Sequence, residues 1–215
     1  LLIFGRDQES ARALHTSFAR GLVEKTYWAV TRGHGPTHQL IDRPLKEKRD
    51  RITDKRADQN KPPQEAQTSV RTLAHCMLPI PLGRYQSARF SLIEAQPRTG
   101  RRHQLRRHLA GINYPIIGDT THGRGEQNRF FRTHFGGHRL LLAAVKITVP
   151  HPQTSQALYL EAPLNGVMSK VCQSLFLGDC DQGSGSDSEA GSMSSILTWL
   201  NKGGEDRHLF AADHA

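Results

Sequence analysis

Fifteen residues constrain this chain more than any others. Positions 96–110 hold five arginines and two histidines. Pro97 and Gly100 open the stretch as breakers, and a helical pattern follows. Leu105 and Leu109 are four apart, so they share one helix face. At about 100° per residue, Arg106 falls at the border of that apolar stripe, while Arg101, His103 and Arg107 point away from it. One guanidinium is thereby set for half burial, where it needs an anionic partner. The others make a basic surface beside it. His103 and His108 are five apart and do not share a face as a zinc pair would.

The rest of the chain must supply a core for this helix. Residues 1–4 read as a short buried strand. Asp7 is a plausible N-cap for a helix that keeps Ala11, Leu14 and Phe18 on one face and ends near Gly21. Residues 23–32 alternate and are rich in β-branched and aromatic types, which predicts a strand closed by Gly33 and Gly35-Pro36. Residues 37–66 are polar with almost no apolar periodicity, and read as a surface loop or short hairpin without core contacts. They include the mixed charges of 46–51 and 54–56, which suit a solvated excursion or an RNA-contacting loop. Strands follow at 65–78 and 85–96, with Pro79, Pro81 and Gly83 between them. After the arginine helix, residues 119–136 read as a polar loop. Strands at 138–149 and 157–161 and a helix at 164–177 complete the pattern. Adjacent strand pairs mixed with helices argue for an α+β fold with a mainly antiparallel sheet.

From residue 178 the chain turns acidic and Ser/Gly-rich, as a linker or disordered tail does, with a short helix expected at 193–200. The expected division is a folded domain over 1–177 and a tail over 178–215. The 215 residues carry a formal charge of +9 and a mean hydropathy of −0.56, with pI near 9.9. No apolar run approaches the roughly 18 residues of a membrane span. The basic balance favours a polyanionic partner. Cys76, Cys172 and Cys180 match no zinc spacing and read as reduced thiols of a cytoplasmic protein.

Arg98-Thr-Gly-Arg-Arg-His-Gln-Leu-Arg-Arg-His-Leu109, followed by Tyr114-Pro-Ile-Ile-Gly-Asp119, closely resembles a signature of the large-subunit-type pseudouridine synthases. Gln127-Asn-Arg129 and His134-Phe-Gly136 look like the tRNA-acting branch. The resemblance runs over about residues 1–163. It implies a central bent antiparallel sheet, an RNA cleft, and isomerisation of uridine to pseudouridine, with tRNA as partner and a T-stem uridine as target. No metal, redox cofactor, membrane or obligate protein partner is implied, and a monomer is expected. The family's catalytic aspartate lies in a His-Arg-Leu-Asp motif that occurs nowhere in this sequence. The expectation is therefore an N-terminally truncated catalytic domain that binds RNA and does not isomerise it.

By the same resemblance, Arg106 matches the arginine that pairs with the catalytic aspartate, and Tyr27 matches the active-site tyrosine that stacks on the flipped base. Trp28 should face the opposite side of the sheet, in the core. Arg98, Arg101, Arg102, Arg107 and Arg129 are candidates for phosphate contact, and His103 for a polar RNA contact. Lys25 and Arg32 are weaker candidates. Arg124, Asn128 and His134 either read the RNA or hold their loop together. His108 reads as packing and Asp119 as a turn residue. Two alternatives remain: a non-catalytic RNA-binding module and an enzyme for ribosomal RNA. A hydrolase or metal enzyme predicts a nucleophile or ligand cluster, and the sequence has none.

Overall fold

Strand β1 (Glu24–Arg32) lies at the heart of the molecule. A computed structural model describes residues 1–47 and 62–177. The preceding helix α1 spans Gln8–Ala19. Beyond β1 come β2 (His38–Asp42), β3 (Gln67–Leu78), β4 (Ala88–Pro97), α2 (Gln104–Gly111), α3 (Gly125–Phe135), β5 (Leu142–Pro150), β6 (Ala157–Glu161) and α4 (Gly166–Phe176). The six strands form one sheet in the order β2-β3-β4-β1-β5-β6. Every strand pairing is antiparallel.

Alternation along β1 sorts its side chains onto two faces. Trp28 and Val30 enter one core with Phe90, Leu92, Met168, Val171 and Leu175. Ala29 enters the other with Val70, Ile93, Ala95, Leu105, Leu109 and Ile116. Leu105 and Leu109 are the apolar stripe of α2. Burying each is worth about 1.5–3 kcal/mol, which holds that helix on the sheet with its basic face turned outward. Trp28 is core, as its alternation requires. Asp7 caps α1: its Oδ1 accepts from the Ser10 amide at 2.7 Å.

Four local expectations need correction. Residues 1–4 form no strand, and Leu2 and Phe4 are exposed. The edges of β5 are taken by β1 and, from Lys146 onward, by β6. The Leu1 ammonium meets the Ala144 carbonyl at 3.2 Å and makes no ladder. Residues 37–66 do reach the core: β2 pairs with β3, and Ile41 and Leu45 are buried. Their polar neighbours hid that contribution. The stretch 119–136 contains helix α3, whose buried Gln127 and Phe131 are four apart and whose end is closed by Gly136 at φ 65°. Its Gly and His content masked that spacing. Phe18, expected on the core face of α1, is exposed. The charge cluster at 48–61, Cys180 and the expected tail at 178–215 lie outside the described residues.

Candidate active site and RNA-facing surface

A cleft of about 400 Å³ opens where β1, β5 and the turn before α2 meet. Tyr27, Lys25, Arg101, His103 and Arg106 line it, with Phe18 at its rim. Alternation along β1 turns Tyr27 toward it, beside a bulge in the neighbouring strand. In the β1–β5 ladder Thr26 lies opposite Lys146 but Tyr27 lies opposite Ala144, so β5 carries one extra residue at this point. Bulges re-aim neighbouring side chains and bend the strand. The Tyr27 ring packs against the α2-side core and remains partly open. Burial raises its phenol above the ordinary value, so it is protonated at neutral pH. Burial likewise lowers Lys25. The Lys25 ammonium sits 6.0 Å from the centre of the Phe18 ring.

The arginine turn is held from beneath by Gln104. Its Oε1 accepts from the Thr99 hydroxyl at 2.7 Å and the Arg101 amide at 2.9 Å. Its Nε2 donates to the Gln67 carbonyl at 2.9 Å and the Thr68 hydroxyl at 3.0 Å. Thr68 in turn meets His108 Nδ1 at 2.9 Å, and His108 Nε2 meets the Arg43 carbonyl at 3.0 Å. A carbonyl only accepts, so Nε2 carries the proton and Nδ1 accepts from Thr68. Burial lowers the His108 pKa, which keeps this ring neutral. His108 is thus packing with a defined tautomer.

His103 is not on the helix. It is the N-cap of α2, in the left-handed region at φ 52°, ψ 29°. A non-glycine residue held there is strained. Its pKa is lowered by burial first, then by Arg106 and Arg102. A neutral, hydrogen-bonding imidazole therefore faces the cleft.

Arg106 has the anionic partner its half-buried position requires, and that partner is Asp119. Nε donates to Oδ2 and Nη2 to Oδ1, both at 2.8 Å. Asp119 Oδ1 also accepts from the Thr121 and His122 amides at 2.9 and 2.8 Å. Burial works to raise the Asp119 pKa, but the Arg106 hydrogen bonds, the two amides and the Arg106 charge outweigh it and bring it to about 2. Asp119 is therefore the turn residue expected, and also the clamp that orients Arg106. Nη1 of Arg106 bonds to no described residue, which leaves it available to the cleft.

The remaining candidates are spread out. Arg101 lines the cleft and donates from Nε to the Glu65 carbonyl at 3.0 Å. Arg98 and Arg102 are exposed beside it. Arg107 is half-buried and donates to the Lys46 carbonyl at 2.9 Å, so part of its reach is spent within the protein. Arg129 is exposed on α3. Its neighbour Asn128 staples the loop, accepting from the Gly118 amide and donating to the Asp119 carbonyl. His134 meets the Phe130 carbonyl. Asn128 thus ties α3 to the turn at 118–119, while the His134 contact stays within α3. Sequence reasoning missed the Gln104 clamp and the β5 bulge. Gln104 follows a strained cap, which a sequence does not display, and a bulge leaves no residue signature here. Among the described residues no group of three or more His, Cys, Asp or Glu could hold a metal ion.

A tyrosine and a clamped arginine facing one cation-lined cleft on an antiparallel sheet suit an enzyme that handles a nucleotide base. The sequence profile of the RNA pseudouridylate synthase family matches residues 1–111, and the chain belongs to that family. Among curated relatives it is 46% identical over 167 residues to tRNA pseudouridine synthase C of Vibrio cholerae, covering 78% of this chain and 68% of that one. With tRNA pseudouridine synthase C of Pectobacterium carotovorum it shares 43% identity over 174 residues, covering 79% of this chain. The chain spans about half of that relative's length, 46%. Among solved structures, human RNA pseudouridylate synthase domain containing 1 superposes with a TM-score of 0.56 at 22% identity, covering 74% of this chain and 62% of that one. That likeness shows the fold.

Proposed function

We propose that this chain carries the base-binding cleft and the arginine of an enzyme that isomerises uridine to pseudouridine in tRNA, at a T-stem position. The observation that carries the reading is Tyr27 and Arg106 lining one cleft, with cationic and neutral donors around them and no carboxylate among the cleft-lining residues. The relatives named tRNA pseudouridine synthase C support tRNA as the substrate.

The reaction breaks the bond from ribose C1′ to uracil N1, turns the base, and rejoins it through C5. The target must leave the helical stack, at a cost of about a few kcal/mol. Tyr27 offers a ring on which the extruded uracil stacks, and a hydroxyl beside the C5 proton. His103, neutral, hydrogen-bonds to base or ribose. Arg106, fixed by Asp119 through two of its nitrogens, presents Nη1 to the carboxylate that works at the sugar. Arg98, Arg101, Arg102, Arg107 and Arg129 contact phosphates. The isomerisation has no net redox change and is drawn without a cofactor or metal. The enzyme works as a monomer in the cytoplasm, where its substrate is, and residues 1–177 form the catalytic domain, followed by a tail. No helix among the described residues is long and apolar enough to cross a membrane.

Asp119 is locked to Arg106 and two amides, so it is not free to act at C1′. The 215-residue chain then binds tRNA without isomerising it. The test is tritium release from tRNA labelled at uridine C5, with this chain and with a version extended upstream to include a His-Arg-Leu-Asp motif. Release from the extended chain alone is the expected result. Release from the 215 residues unaided would overturn the assignment of the carboxylate. RNA binding with no release from either would point to a non-catalytic module.

A further inference from the structure

A second polar cleft lies at the far end of β1. Tyr27 is five residues from Arg32, so the two clefts are roughly 17 Å apart along the strand. This one encloses about 260 Å³ and is lined by Arg32, Tyr85, Arg89, Asn113, Tyr114 and Gln127 among others. Ligand pockets for drug-sized molecules run to about 300–1,000 Å³, so it suits one nucleobase rather than a larger ligand.

Three observations point to its occupant. Tyr85 is 38% exposed and set among cations: the guanidinium of Arg32 lies 5.7 Å and that of Arg84 5.1 Å from its ring centre, and Arg84 Nη2 donates to its hydroxyl at 2.8 Å. Next, Arg32, Arg84 and Arg89 form no ion pair with any described residue. One carboxylate, Glu126, lies against Gly83 of the same loop and does not pair with them. Last, Gln127 lines the cleft at 6% exposure, and its buried Oε1 has no hydrogen-bond partner. A buried acceptor without a donor is costly unless a ligand supplies one. A flat ring, guanidiniums without a carboxylate partner and an acceptor awaiting an N–H are what a stacked, unpaired nucleotide uses.

We propose that this cleft takes a second, unpaired nucleotide of the same RNA. Its base stacks on Tyr85 and donates an N–H to Gln127 Oε1, and its flanking phosphates meet Arg32 and Arg89. The proposal rests on the RNA-modifying reading above and adds a site to it. The cleft anchors the RNA; the chemistry stays at Tyr27 and Arg106.

The test joins ultraviolet cross-linking of the native chain to bulk tRNA with affinity measurements on Tyr85→Ala, Tyr85→Phe and the Arg32→Ala/Arg89→Ala double variant. The expected result is a cross-link on the Tyr85 or Tyr114 peptide and about a tenfold weaker affinity in Tyr85→Ala, with Tyr85→Phe near wild type. The double variant should have a shallower salt dependence, with the log–log slope smaller by about 0.7 for each phosphate that is no longer neutralised. Unchanged affinities with no cross-link in this cleft would overturn the second site and leave the enzyme reading standing. A cross-link here with no tritium release from any extended form would keep the nucleotide site and remove the enzyme reading.

Discussion

Tyr27, His103 and Arg106 each carry a distinct testable consequence. In the upstream-extended form proposed above, Tyr27→Phe keeps the stacking ring and loses the hydroxyl. Tritium release should fall by about 10²-fold or more if the hydroxyl handles the C5 proton, while tRNA affinity holds. Tyr27→Ala should lose both, which separates the two roles by comparing binding with turnover. Arg106→Met leaves the buried Asp119 carboxylate without its cation. Breaking such a pair from one side costs about 3–5 kcal/mol, so the chemical-denaturation midpoint should drop along with turnover. Arg106→Lys should not rescue turnover, because an ammonium lacks the planar fork that meets both Asp119 oxygens at 2.8 Å. His103→Gly removes the cost of a left-handed φ together with the imidazole. The expected outcome is equal or higher thermal stability with weaker tRNA binding. Lower stability would mean that the strained cap is not held there for the ligand's sake.

Helix α2 shows how far a sequence carries at the next scale. Its apolar stripe, its half-buried arginine and the burial of His108 were all legible, because each follows from helical spacing. Its start was not. The cap falls at His103 in a conformation that sequence pattern does not favour, and the adjoining Gln104 is held by Gln67 and Thr68, on a strand distant in sequence, together with the nearby Thr99. Helix α3 was missed for a related reason: Gln127 and Phe131 become a buried pair only once α4 and the sheet lie beneath them. β1 was legible almost to the residue, yet its bulge belongs to a pairing with β5 and so to no single segment. The α2 network is open to direct test. Gln104→Leu leaves the Thr99 hydroxyl, the Arg101 amide and the Gln67 carbonyl short of a partner. A loss of about 1–3 kcal/mol in unfolding free energy is expected, read by urea denaturation, together with weaker tRNA binding as the arginine turn loosens.

Over the whole molecule, acid should act in two separate ranges. His108 has a lowered folded pKa. Its contribution is complete above the unfolded value near 6.5 and is lost as pH falls below it, because the unfolded chain takes up the proton first. Asp119, at about 2 against an ordinary 3.8, contributes fully above about pH 4, and that contribution is lost as pH falls through 2. The difference is worth about 2 kcal/mol. Urea midpoints between pH 5 and pH 2 should therefore fall more steeply in the wild type than in Asp119→Asn. The thiols give an independent check of the core. Cys76 and Cys172 are both buried, and burial pushes Cys172 up to about 12. Both should resist a thiol reagent until the protein unfolds, with modification tracking the urea transition. The central position of β1 also bears on how the chain is made. That strand leaves the ribosome before both of its partners, β4 and β5, and β5 begins 110 residues after β1 ends. At about 5–20 residues per second, translation leaves one edge of β1 open for roughly 5–22 s. Nascent chains should therefore depend on a holding chaperone until β5 emerges, and slowing translation should lower the soluble yield.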